Sequence, residues 1–88
     1  FNRDLTVGVS GDDVRALQMW LNTHGYLVAS TGPGSAGNET TTFGALTRAA
    51  LIRFQEAHAA EILTPLGLTR GTGFFGERTK AFIMGMGR

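Results

Sequence analysis

One short pattern occurs twice in this chain, and it does most to limit what the chain can fold into. Phe43-Gly44-Ala45-Leu46-Thr47-Arg48-Ala49 aligns at a fixed offset with Phe75-Gly76-Glu77-Arg78-Thr79-Lys80-Ala81, so that both read F-G-x-x-T-basic-A. Each copy reads as the start of a helix. The aromatic enters the core just ahead of it, and the glycine permits a sharp turn and serves as a tolerable N-cap. The threonine hydroxyl, one turn in, is placed to satisfy an orphan backbone group. Two such devices in one small chain mark an internal repeat.

Apolar spacing extends the helical reading. Val14, Leu17, Gln18 and Leu21 fall at i, i+3, i+4 and i+7, which predicts a helix over 12–24 with one buried face. Ser10 reads as its N-cap and Asp13 as the acidic partner of a capping box, while Asp12 and Asp13 suit the positive end of the helix dipole. Gly11 precedes the helix, and Gly25 reads as the left-handed residue that ends it. On the helical wheel Trp20 flanks the stripe and Met19 points nearly opposite.

A second helix is predicted over 45–59, with Thr47, Ala50, Leu51, Phe54, Ala57 and His58 on one face. Ile52 lies on the other face among alanines and, with Met19, suggests a surface for association. A third helix starts near Gly76, carries Thr79, Phe82 and Ile83 inward, and ends at Gly85 and Gly87, with a tail over 84–88 that frays. Residues 29–42 (ASTGPGSAGNETTT) are small and polar without apolar periodicity, a loop of a length usually kept for a task. A second irregular stretch surrounds Thr64-Pro65 and Gly67.

Composition narrows the function classes. Of 88 residues, 42% are hydrophobic and 17% charged, which describes one globular domain over 1–88 with its core at 5–84. No apolar run approaches the roughly 18 residues a bilayer span requires, so no membrane insertion is expected. The absence of cysteine excludes disulfides and thiolate metal sites. A net charge of +1 argues against nucleic acid as a partner. The chain starts at Phe1 without a methionine, which suggests a fragment or a processed product.

No catalytic constellation is visible. His24 and His58 lack the close spacing of a zinc pair, and no serine or threonine has a base at hand. No metal and no cofactor are expected. Gln18 and Gln55 read as internal hydrogen-bonders that tie loops to helices, because a half-buried amide needs partners.

Taken together, the residues resemble the peptidoglycan-binding-like domain family, small helical modules appended to bacterial cell-wall enzymes. The first half of the pattern stands as Leu5-Thr6-Val7-Gly8-Val9-Ser10-Gly11-Asp12-Asp13-Val14-Arg15-Ala16-Leu17-Gln18, then Leu21 and Gly25-Tyr26. The second half stands as Phe43-Gly44, Thr47, Ala50-Leu51 and Phe54-Gln55, then Gly67-Leu68, Gly73-Phe74-Phe75-Gly76 and Thr79. The chain departs from the family in the inserted stretch 29–42, in a longer segment after Gln55, and in Arg70-Gly71-Thr72-Gly73, where members often carry Asp-Gly.

The resemblance implies an all-α fold, a compact three-helix orthogonal bundle with two long Gly-rich connecting loops. It also implies a non-catalytic module that binds peptidoglycan, through its glycan or its stem peptide, and anchors an attached protein in the periplasm, cell wall or extracellular surface. Amino sugars stack on aromatic faces and stem-peptide carboxylates pair with arginine. Trp20, Tyr26, Asn38, Thr40, Thr41 and Arg53 are therefore the candidate ligand-binding residues. The alternatives are a self-assembling surface module that meets other copies of itself, and a pro-domain-like module packed on an attached hydrolase domain.

Overall fold

The computed structural model describes residues 3–86, and the expected stop at Gly87 lies outside them. Four α-helices follow one another: α1 Asp12–Thr23, α2 Ala45–Ala57, α3 Ala59–Ile62 and α4 Glu77–Met86. A 3-10 turn at Thr64–Leu66 follows α3. The described residues form no strand, only isolated bridges, so the all-helical expectation holds.

The first helix buries the stripe foreseen for it. Val14, Leu17, Gln18 and Leu21 are all buried, and Met19 is half exposed. Its start differs from expectation: Gly11, not Ser10, occupies the N-cap, without a side-chain cap. Asp13 is held by Arg3 and also accepts the Val14 N–H at 3.0 Å. Arg3 Nε and Nη2 donate to the two Asp13 carboxylate oxygens at 2.7 and 3.0 Å, and Arg3 Nη2 also donates to the Ser10 carbonyl at 2.6 Å. A charge-assisted, bidentate pair of this kind is stronger than a neutral hydrogen bond.

The helix ends as the sequence predicts. Gly25 has φ +91. Its N–H donates to the Asn22 carbonyl at 3.5 Å and that of Tyr26 to the Leu21 carbonyl at 2.8 Å. Those two bonds form a Schellman motif, which requires the left-handed residue between them.

The second predicted helix is two elements. His58 (φ −119, ψ 40) breaks it after Ala57, and α3 turns Ile62 and Leu63 into the core. Ala57 is exposed rather than on the buried face. Ile52 is half-buried, because the Gly71 backbone lies against it. The last helix carries Thr79 and Ile83 inward and runs through Gly85 to Met86, so Gly85 does not end it.

Three fully buried rings, Phe43, Phe54 and Phe75, anchor the core. Burying each contributes on the order of 2 kcal/mol from apolar area alone. An N-terminal segment that turns at Val7-Gly8 fixes two of them. Leu5 exchanges both backbone hydrogen bonds with Phe75, at 3.1 and 2.8 Å. A few residues on, Gly8 N–H donates to the Phe43 carbonyl and Phe43 N–H to the Val9 carbonyl, both at 3.0 Å. The segment thus fastens both copies of the F-G pair to one piece of backbone.

Candidate functional site

The two copies of the repeat are built around two buried glutamines. Gln18 Nε2 donates to Thr47 Oγ1 at 2.9 Å, to the Thr42 carbonyl at 3.1 Å and to Thr40 Oγ1 at 3.3 Å, and its Oε1 accepts from Thr40 N–H at 2.6 Å. Gln55 Nε2 donates to the Phe74 carbonyl at 2.9 Å, to Thr79 Oγ1 at 3.2 Å and to Thr72 Oγ1 at 3.4 Å. Its Oε1 accepts from the N–H groups of Thr72 at 2.9 Å and Gly73 at 3.0 Å. Each amide therefore ties one helix to the loop and helix start that follow it. The threonine hydroxyl that the two F-G-x-x-T copies share serves as an acceptor for these amides, in place of the expected backbone group.

Each knot floors a depression. The first, of about 260 Å³, is bounded by Gln18, Thr40, Thr42, Gly44, Ala45, Leu46 and Thr47. The second, of about 190 Å³, is bounded by the equivalent Gln55, Thr72, Phe74, Gly76, Glu77, Arg78 and Thr79. Their opposite walls differ. Val28, Pro33 and Gly34 close the first, whereas Ile62, Leu63, Leu66 and Leu68 close the second.

The wall of the first depression is the 29–42 loop, and buried polar bonds give that loop its shape. Asn22 Nδ2 donates to the Gly34 carbonyl at 3.0 Å and to Glu39 Oε2 at 2.9 Å, and Asn22 Oδ1 accepts from Val28 N–H at 2.8 Å. The Asn22 amide, with backbone N–H groups at Glu39 and Gly37, holds the Glu39 carboxyl below its ordinary range. Sequence reasoning missed Asn22. Its signal was position: it stands one turn after Gln18 on the same face.

The six candidate binding residues fall into two groups. Thr40, Thr41 and Asn38 belong to the loop. Thr40 lines the first depression, the Thr41 carbonyl accepts from Gly11 N–H at 2.9 Å, and Asn38 Nδ2 donates to Ser35 Oγ at 3.2 Å. Trp20, Tyr26 and Arg53 make internal contacts away from both depressions. Trp20 stacks on His24 with centroids 3.9 Å apart and meets the edge of Phe54 at 5.0 Å. Tyr26 packs on Phe54 at 5.3 Å, and its hydroxyl lies 3.4 Å from His58 Nε2. Arg53 Nη2 donates to the Leu27 carbonyl. Leu46, which no candidate set included, is 57% exposed at the mouth of the first depression.

Among the described residues, no group of three or more His, Asp or Glu is placed to hold a metal ion. No described helix is long and apolar enough to cross a membrane.

The fold and its two buried glutamine knots define a small helical module. The family described as Putative peptidoglycan binding domain matches residues 10–83, and the chain belongs to that family. Among solved structures it is similar to one described as the crystal structure of SleB N-terminal domain. The two share 28% identity and a TM-score of 0.66, over 100% of this chain and 97% of that chain. A search of curated proteins returned no match.

Proposed function

We propose that this chain is a non-catalytic module that binds peptidoglycan and holds an attached protein at the bacterial cell wall, in the periplasm or on the outer surface. The observation that carries the reading is the family match over 10–83, which takes in both knots and the depressions they floor. The first depression supplies a shallow surface suited to a sugar. Pro33 and Leu46 offer apolar ground for a pyranose face, and Thr40 and Thr42 border it with polar groups. The 29–42 loop forms its wall in a fixed shape, which lowers the ordering cost of binding.

Co-sedimentation with purified sacculi tests the reading. The wild type is expected in the pellet at low salt, and Leu46→Asp is expected to pellet about tenfold less tightly, as loss of one apolar contact implies. Leu46 is exposed, so that variant leaves the core intact. A wild-type chain that stays in the supernatant at low salt contradicts wall binding.

A further inference from the structure

The second depression has a chemistry that the first lacks. Where the first copy of the repeat presents Ala45-Leu46, the second presents Glu77-Arg78. Arg78 also borders two adjoining hollows of about 370 and 430 Å³, which bring in Glu61, Pro65 and Ala81. Three concave surfaces therefore share Arg78, between α4 and the segment that holds α3 and the 3-10 turn.

The charged groups there are unspent. Arg3 pairs with Asp13 and Lys80 with Asp4. Among the described residues, the side chains of Glu61, Glu77 and Arg78 form no ion pair or hydrogen bond. Beside them Leu66 and Phe74 are 55% and 44% exposed, and Ile62 and Leu63 form the apolar back of the hollow.

We propose that this groove takes a free amino-acid head, an ammonium and a carboxylate on one carbon, carried on a short aliphatic arm. A guanidinium binds a carboxylate through two parallel hydrogen bonds. Glu77 borders two of the hollows that share Arg78 and Glu61 the third, and both carry the charge that attracts an ammonium. A simple anion meets two repelling carboxylates, and a simple cation meets Arg78, so a zwitterion suits the set best. The apolar back accepts the methylene arm. A peptide stem whose diamino-diacid residue is not cross-linked presents this group, and cross-linking acylates the nitrogen and removes its charge. The inference rests on the wall-binding reading and specifies which state of the wall this side of the module selects.

The probe is the tripeptide L-Ala-γ-D-Glu-meso-diaminopimelate, titrated into the ¹⁵N-labelled chain and followed by NMR, beside the same peptide acetylated on its side-arm nitrogen. Shifts are expected at Phe74, Glu77 and Arg78, with binding about tenfold weaker for the acetylated peptide and for Arg78→Gln. Arg78→Gln is expected to keep the wild-type melting profile, since Arg78 is exposed and unpaired. Equal affinity for both peptides, unchanged binding by Arg78→Gln, or shifts confined to Thr42 and Leu46 overturn the proposal. A wild type that pellets with sacculi yet ignores the tripeptide overturns this inference alone. One that does neither overturns wall binding as well.

Discussion

Gln18 and Gln55 occupy equivalent places: each amide nitrogen reaches the threonine of the following F-G-x-x-T copy, Thr47 at 2.9 Å and Thr79 at 3.2 Å. Each amide oxygen accepts the N–H of a further threonine, Thr40 at 2.6 Å and Thr72 at 2.9 Å. The repeat thus extends beyond helix-start chemistry to a threonine three residues before each phenylalanine. Two buried amides with all their partners satisfied set the height of both loops above the core. Those loops in turn form the mouths at which a ligand would meet the module.

Removing either amide orphans a buried threonine hydroxyl and several part-buried groups at once. Gln18→Ala and Gln55→Ala are each expected to cost about 2–4 kcal/mol, since each lost partner contributes about 1 kcal/mol. Thermal unfolding followed by circular dichroism checks this, and a drop on the order of 10 °C is expected in a domain of this size. Thr47→Val, which keeps the shape and loses the acceptor, is expected to be non-additive with Gln18→Ala. Additive losses would show that the two side chains do not work through one bond.

The 29–42 loop carries a pH dependence of definite sign. The Asn22 amide and nearby backbone N–H groups depress the folded-state Glu39 carboxyl. Its contribution is therefore complete above the unfolded-state value and lost as pH falls through the lower folded-state value. Amide exchange at residues 34–39 is expected to quicken over that acid window and not at neutral pH. Asn22→Ala is expected to move the Glu39 titration upward, as read by carboxyl NMR. In the same spectra Arg3→Gln is expected to raise Asp13, whose carboxyl the Arg3 guanidinium holds below its ordinary range.

Two glycines resist substitution for different reasons. Gly25 has open space around it, and its alanine variant suffers only from φ +91, a cost of about 1–2 kcal/mol. At Gly71 a Cβ would lie 2.8 Å from the Ile52 carbonyl oxygen and 3.0 Å from its Cα, so backbone must move. Gly71→Ala is expected to cost about 1–3 kcal/mol and to shift the NMR signals of Ile52 and Thr72. Chemical denaturation checks both, and Gly25→Ala is expected to leave those two signals in place.

Local periodicity made much of the fold legible. The face of α1, the stop at Gly25 and the loop-tying work of both glutamines followed from spacing and from the needs of a buried amide. Non-local competition was not legible. Nothing near Asp13 in the chain announces that Arg3 captures it, and nothing near Phe43 or Phe75 announces the N-terminal segment that pairs with both. Gly85 lies inside α4 because a single glycine lowers helix stability without forbidding the helix. Of the six candidate binding residues, only Thr40 lines a depression. Thr40, Thr41 and Asn38 do lie in the loop, while Trp20, Tyr26 and Arg53 are taken up by internal contacts. Leu46 and Arg78 were hidden because their interest comes from the opposite wall, which is distant in sequence.

Wall binding at the two depressions is open to chemical-shift mapping with soluble peptidoglycan fragments, disaccharide units that carry their peptide stems. Saturable shifts are expected at Thr40, Thr42 and Leu46 and at Phe74, Glu77 and Arg78, with the Trp20–His24 stack unmoved. A spectrum that does not change with added fragments, or changes only around Trp20, Tyr26 and Arg53, would contradict it.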